Sequence, residues 1–401
     1  MERKRLTIIM VSICLILVLA FIPAYAQPKA PESIKVGVLA SMTGFDASMG
    51  KPLIDGAQLA VQEVNAGGGV FVKEFNRKIP LELVVLDMES APDKAIARAE
   101  ALNSQYKTPI AFGTTLINAA AATFEKNGMA VLCSAVTTVG MLQRGLKYYF
   151  VVNAMNKDYV NSLFGLFDSL PAGQKPTKWA IFEETTASFV VEIARFLRED
   201  APGHGVTIVS NGKYKANEPD LTPLIREAQA AGAEVVFSAP NTADGITLLK
   251  QIREVGYKPK AIAELRGADD RSWGQIGSLG DYVIGSLNFF HTWKFPGVDK
   301  LNAAYKAKFG GDTFPEAGEG YACVQVIADV ITRAGTLDRV KLRDTLSSTK
   351  NLMTVMGPVT FRPDGGRDNP PTANYQWQKG NQVLVYPQNL ATGKLVYPYP
   401  W

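Results

Sequence analysis

Hydroxyl side chains collect immediately after short apolar runs: Ser41 and Thr43 follow Ile34 to Ala40, Thr114 and Thr115 follow Ile110 to Gly113, and Ser134, Thr137 and Thr138 follow Met129 to Cys133. Each run reads as a buried strand, so the hydroxyls fall at strand carboxyl ends, where an open α/β sheet places its ligands. Helix capping would explain any one cluster. Three on one sheet converge on one crevice and suit the anionic group of a small ligand, because a hydrogen bond to a charged group contributes about 1.5–3 kcal/mol and a helix N-terminus about 0.3–1. Four such bonds would supply a large part of micromolar binding, which needs about −8 kcal/mol. No proton-transfer group stands with them, so the chemistry is a grip on a ligand and not a reaction.

The other candidates carry less. Ser48-Met49-Gly50-Lys51 has the S-x-x-K spacing of penicillin-recognising acyl enzymes, but the Ser-Asp-Asn and Lys-Thr-Gly partners are absent. Gly67-Gly68-Gly69 follows a helical pattern instead of opening one, which is the order of a helix stop and not of a phosphate loop. His204 lies in a Pro-Gly-His-Gly turn and His291 has no carboxylate neighbour in sequence, so both read as structural. Glu183-Glu184 and Asp269-Asp270 are carboxylate pairs at strand ends. Glycoside or metal chemistry would need each pair held about 5–10 Å apart, and solvated loop charge is the plainer reading. No catalytic residue, metal site or cofactor is expected.

The chain that must position these groups has 401 residues, enough for two domains, and its 47% hydrophobic and 20% charged composition excludes disorder. Arg3-Lys4-Arg5, the apolar stretch Leu6 to Ile22 and then Pro23-Ala24-Tyr25-Ala26 have the order of a secretory signal peptide, residues 1–26, cut after Ala26. An uncleaved anchor is the alternative, and the stretch is at the short edge of a spanning helix. The basic start supplies half of the net charge of +4, so nucleic acid is not an expected partner. Past the leader there are two cysteines, Cys133 and Cys323; one disulfide is possible after export, and spacing does not show that they meet.

Strand and helix patterns alternate along the rest. Strands are expected at Ile34 to Ala40, Leu81 to Asp87, Ile110 to Gly113 and Met129 to Cys133, with helices after Leu53, over Asp93 to Gln105 and over Asn118 to Asn127. A second series runs from Lys178 to Leu265: strands at Lys178, Val206, Val235 and Ala261 alternate with helices from Phe189, Leu221 and Asp244. That alternation implies right-handed crossovers and mainly parallel sheets, an α/β fold of two doubly wound domains. The last hundred or so residues, with helices near Leu301 to Phe309, Tyr321 to Arg333 and Lys341 to Leu346, hold too few strands for a third domain and complete the first two.

At these residues the chain resembles the periplasmic leucine/branched-chain amino-acid-binding proteins of ABC transporters. The resemblance rests on Val36-Gly-Val-Leu-Ala-Ser-Met-Thr-Gly44, Gly50, Asp55-Gly56-Ala57, Ala60-Val61 and Val64-Asn65-Ala66-Gly67-Gly68. Later pieces agree in order: Lys178-Trp-Ala-Ile-Phe182, Asp220, Gly320-Tyr321-Ala322 with Val324-Gln325, and Val355-Met-Gly-Pro358. It implies a type I periplasmic binding fold: two Rossmann-like lobes joined by three hinge crossovers, near Val152 to Asn156, Ser286 to Phe290 and Met356 to Val359. Lobe 1 would be 33–154 plus 288–356 and lobe 2 155–287 plus 357–401. The implied function is extracytoplasmic: a periplasmic monomer that closes on a small carboxylate-bearing ligand, such as an amino acid, and delivers it to an ABC permease in the inner membrane. An exported enzyme on the same scaffold is the other class, and the dearth of His and Cys speaks for binding.

Carried over by position, the ligand carboxylate would sit on Thr114 and on the backbone of Ser134-Ala135 with Thr137, beside Thr43 and Thr115. The rest departs from the family. The aromatic position before Gly50 is Met49, a lobe 2 aromatic appears as Ser188 before Phe189, another aligns with Asn241, and the acid that neutralises a ligand ammonium aligns with Arg266. An Arg there would repel an ammonium and favour an amine-free aromatic or dicarboxylic acid. A slip of two residues would instead put Glu264 at the site and restore an amino acid.

Overall fold

The computed structural model describes residues 29–401 except Phe45, Val136 and Asp270; the expected signal peptide lies outside the described residues. The described residues build two large sheets and two small hairpins. The first series runs β1 (Ile34–Ala40), α1 (Ala47–Ala66), the hairpin β2 (Val70–Val72) and β3 (Arg77–Ile79), β4 (Leu81–Asp87), α2 (Pro92–Ser104), β5 (Ile110–Gly113), α3 (Ala121–Lys126), β6 (Ala130–Cys133) and β7 (Tyr149–Val151). β4, β1, β5, β6 and β7 pair in that order, all parallel. Strands buried on both faces need the near-continuous apolar runs the sequence shows.

The second series runs α4 (Asn156–Asp168), β8 (Lys178–Glu184), α5 (Ser188–Asp200), β9 (Thr207–Tyr214), α6 (Thr222–Ala230), β10 (Val235–Ser238), α7 (Thr242–Val255), β11 (Ala261–Glu264) and β12 (Ile284–Leu287). The chain then returns to the first sheet with α8 (Val298–Phe309), α9 (Pro315–Ala334) and α10 (Arg339–Ser347), makes the hairpin β13 (Leu352–Thr354) and β14 (Gly357–Val359), and ends with β15 (Ala373–Gln378) and β16 (Asn381–Tyr386) on the second sheet. That sheet has the order β16-β15-β12-β11-β10-β8-β9, with β15 antiparallel to both β12 and β16. The fold is α/β with two lobes, as expected. No helix of the described residues is long and apolar enough to cross a membrane.

Several differences from expectation are local. No helix is expected between Asn153 and Lys178, yet α4 fills that stretch and buries Val160, Leu163, Phe164 and Phe167. The helix expected over Asn118 to Asn127 divides into a 3-10 segment, Thr115–Ala120, and α3. Glu183 and Glu184 are not solvated. Both are buried at the end of β8, where Glu183 meets Arg198 (2.6 Å) and Glu184 accepts from the Thr186 amide (2.5 Å), so partners replace water. Cys133 and Cys323 are buried free thiols.

Two features fix the first lobe and the segments that leave it. α1 and α9 cross with their backbones almost touching, because a Cβ at Gly56 would overlap the Ala317 carbonyl and one at Gly320 the Leu53 carbonyl. The connecting segments are tied by Arg367, which is fully buried and donates to the carbonyls of Val152 (3.0 Å), Met356 (2.7 Å) and Pro358 (2.8 Å). Burial pushes its guanidinium down to about 10, so it stays charged, and carbonyl oxygens of two crossovers stabilise that charge.

Candidate functional site

A cleft of about 470 Å³ opens between the two sheets. Its first-lobe wall is the start of α1 (Ala47, Ser48, Met49, Lys51, Pro52), the turn after β6 (Ala135, Thr137) and the start of α9 (Phe314, Pro315, Glu316, Glu319). Tyr159 on α4, Phe189 and Ile193 on α5, and Leu265, Arg266 and Asp269 after β11 form the opposite wall. Asn153, Asn156, Ser286, Leu287 and Asn288 close the floor where the chain crosses between lobes. Parallel strands put their following loops at one end of each sheet, which is why residues so far apart in sequence meet here.

Five of the eleven residues expected to surround the ligand line this cleft: Met49, Ala135, Thr137, Phe189 and Arg266. Arg266 approaches across it, its Nη2 3.6 Å from Met49 Sδ, its guanidinium 5.5 Å from the Phe189 ring centre and its Nε 3.8 Å from Asp269 Oδ2. The other six lie behind or beside the wall. Thr114 is fully buried and its hydroxyl donates to Asp46 Oδ2 (3.5 Å); Ser134 donates to the Gly113 carbonyl (3.1 Å) and Thr115 to the Ala135 carbonyl (3.3 Å). Thr43 donates to Asp87 Oδ2 (2.9 Å) and so fastens the β1–α1 loop to the end of β4. Ser188 begins α5, and Asn241 caps α7 by accepting from the Asp244 amide (2.9 Å). Glu264, the alternative to Arg266, is fully buried inside the second lobe and does not line the cleft.

The structure adds residues that the sequence pattern does not single out. Glu319 accepts from the Ala135 amide (3.3 Å) and from Asn288 Nδ2 (2.9 Å), and Asn288 also bonds Asn153, so one carboxylate links the cleft to two crossovers. Desolvation, then Glu316, pushes Glu319 well above the ordinary carboxylate range, while Arg266 pulls the other way. Asp46 is likewise raised by burial and eased by Arg266 and Thr114. Glu192 on α5 accepts from the Val139 amide (3.2 Å) and from Asn156 Nδ2 (2.7 Å), a direct tie between the lobes beside the cleft. Glu319 carried one available signal, an acid between two glycines just before the apolar run that begins at Tyr321. Asn153 and Asn288 carried another, since each falls in an expected crossover.

No group of three or more His, Cys, Asp or Glu among the described residues is placed to hold a metal ion. What the cleft offers is the Arg266 guanidinium, the Lys51 ammonium, buried acceptors on the floor, side-chain amides and three aromatic side chains: the means to orient a small polar molecule that also has apolar surface.

Comparison with known proteins agrees. A family model described as "Periplasmic binding protein" matches residues 33–382. A "Leu/Ile/Val-binding protein homolog 8" of Brucella abortus (strain 2308) is 30% identical, over 91% of this chain and 93% of its own length. Among solved structures, the branched-chain amino acid transporter substrate binding protein LivJ from Streptococcus pneumoniae, in complex with isoleucine, superposes with a TM-score of 0.74 at 20% identity, covering 88% of this chain and all of LivJ. A solute binding protein of an ABC transporter from Rhodopseudomonas palustris BisB5, in complex with 3,4-dihydroxybenzoic acid, gives 0.70 at 19% identity, covering 86% and 93%.

Proposed function

The chain belongs to the periplasmic binding protein family, and from that premise we propose that it is the solute-binding component of an ABC importer, which closes its two lobes on a small carboxylate-bearing ligand and presents the closed form to a permease in the inner membrane. The observation that carries the reading is the cleft itself: both lobes line it, and Arg266 reaches from one wall to Met49 on the other. A ligand held by both walls binds the closed form better than the open one and so shifts the population toward it. The lobes are 33–154 with 288–356 and 155–287 with 357–401, and the protein works as a periplasmic monomer after removal of residues 1–26. It holds its ligand unchanged and is not an enzyme.

An amino acid is the first expected ligand, as the names of the relatives suggest. A second reading, an amine-free aromatic or dicarboxylic acid, is favoured by one observation: Arg266 and not Glu264 faces the cleft. Met49, Ala135, Thr137, Phe189 and Arg266 form the ligand's surroundings. A thermal-shift screen of residues 27–401 with leucine, isoleucine, valine, benzoate, 3,4-dihydroxybenzoate and succinate tests both readings. A true ligand at a hundredfold excess over its Kd adds about 2.7 kcal/mol of stability. Turnover of the bound compound on prolonged incubation would refute the binding role.

A further inference from the structure

The amide that the family resemblance gives to a ligand carboxylate is already occupied by one. Ala135 N–H donates to Glu319 Oε2 (3.3 Å), and Oε1 of the same side chain accepts from Asn288 Nδ2 (2.9 Å). Glu319 is 4% exposed and lines the cleft, so this carboxylate sits on the floor and presents an edge to the cavity. A ligand carboxylate at Ala135 would have to displace the Glu319 oxygen already bonded to that amide. Moving Glu319 aside would break both bonds and leave a buried acid without partners, at a cost comparable to the gain from the new contact. Burial favours the protonated acid in the empty cleft, and a ligand donor joining the Ala135 and Asn288 donors favours the ionised form, whose roughly four acceptor positions leave two for the ligand. What remains at the floor is an acceptor, while the nearest cationic group on the opposite wall is Arg266.

We infer that Glu319 is the specificity-determining residue of the cleft: it receives a hydrogen-bond donor of the ligand, an ammonium or a hydroxyl, while the ligand carboxylate turns toward Arg266. This rests on the proposed role as a binder of small carboxylates and narrows it to acids that also carry a donor. It reverses the polarity that the resemblance implies, with the ligand's donor held on the first lobe, whose wall also carries Lys51, and its carboxylate on the second, where Arg266 stands beside Asp269. The coupling of Glu319 to Asn288 and Asn153 means that the donor meets the same side chain that braces two crossovers.

Isothermal titration with two pairs of probes tests it: leucine against 4-methylpentanoate, and 3,4-dihydroxybenzoate against benzoate. Within each pair the carboxylate and most of the apolar surface are kept and only the donor is removed, and the two pairs separate an ammonium from a hydroxyl. In at least one pair the donor-bearing member should bind tenfold or more tightly than its partner, and Glu319→Gln should shrink that ratio to about threefold. A merely structural role for Glu319 would weaken both members equally and leave the ratio intact, which overturns the inference. The wild-type protein decides independently of any variant: if the acid without a donor binds as tightly as its partner, Glu319 is not the determinant, though the carboxylate-binding role stands. If none of the four probes binds and no other acid does, that role fails first and this inference with it.

Discussion

Glu319 and Glu264 are both sealed from bulk water, one in each lobe, yet they differ in what surrounds the carboxylate. Glu319 accepts from a backbone amide and a side-chain amide and shows its edge to the cleft. Glu264 ends β11 beneath α7, where a Cβ at Gly245 would overlap its Oε2, and neither of its oxygens has a hydrogen-bond partner among the described residues. Ser238 Oγ, on the neighbouring strand in register with it, and Tyr214 OH also lack one. Burial pushes Glu264 up to about 8, with no neighbouring donor to hold the charge. Two acids that look alike in a composition count therefore have opposite tasks. Burial pushes both upward, but the one with partners stands at the cleft, where a ligand donor can reach it, and the one without is sealed inside a wall.

The largest expected effect tests the sealed half of this contrast. Glu264 is raised in the folded state to about 8 and titrates near 4.3 when unfolded, so the folded state favours its protonated form. Its contribution to stability is fully present below pH 4 or so and is lost as pH rises through 8. The loss is of the order of a few kcal/mol, because a tenfold change in proton affinity between the folded and unfolded chains corresponds to about 1.4 kcal/mol. Urea unfolding of the wild type should show a midpoint falling steadily between about pH 4 and 8 and levelling above, and Glu264→Gln should flatten that slope while leaving ligand affinity within twofold. Parallel pH profiles for the two proteins would show that Glu264 reaches water or a partner after all.

Next in size is the cleft-facing side. Arg266 is two residues beyond Glu264 but half-exposed, against Met49 and Phe189. Arg266→Met keeps a stem for Phe189 to pack on and removes the charge. It should weaken carboxylate binding about 30-fold, since a charged hydrogen bond is worth about 1.5–3 kcal/mol, and shift the melting temperature of the free protein by less than about 2 °C. Unchanged affinity would remove Arg266 from the ligand's surroundings. Thr114→Val should act more weakly: with its hydroxyl turned to Asp46 and no exposed surface, affinity should fall by less than threefold. A tenfold loss would mean that the hydroxyl swings to the ligand on closure.

The sheets were legible because parallel strands buried on both faces leave uninterrupted apolar runs. Ile34–Ala40 and Leu81–Asp87 coincide with the stretches expected, and Gly67 to Gly69 end α1 as expected, Gly68 and Gly69 with φ of 92° and 94°. α4 was not expected although its apolar spacing is helical, because it directly follows the first crossover, where the chain changes lobes and the alternation breaks. The candidate site was legible only in part. Strand ends located the region, but a hydroxyl after a strand has two places to go, and Thr114, Ser134 and Thr43 each found a protein acceptor nearby. Glu319 was illegible as a floor residue because its partners, Ala135 and Asn288, are 184 and 31 residues away, and no local pattern encodes such a meeting.

Asn241 gives the smallest effect and the cleanest separation of wall from face. The resemblance lends it a ligand role, yet its Oδ1 accepts from the Asp244 amide (2.9 Å), its Nδ2 donates to Asp244 Oδ2 (3.0 Å), and Asp244 in turn accepts from the Asn217 amide (3.0 Å). Both ends of the amide thus serve the first turn of α7, the helix that covers Glu264. Asn241→Ala should cost about 1 kcal/mol of stability, the usual value of an N-cap, and Asn241→Ser, which keeps a capping oxygen, should recover most of it. Affinity for any bound acid should change less than twofold in both. If instead both variants lose tenfold in affinity while their unfolding midpoints match the wild type, Asn241 faces the ligand, and the line drawn between the open wall at Arg266 and the sealed one at Glu264 must move.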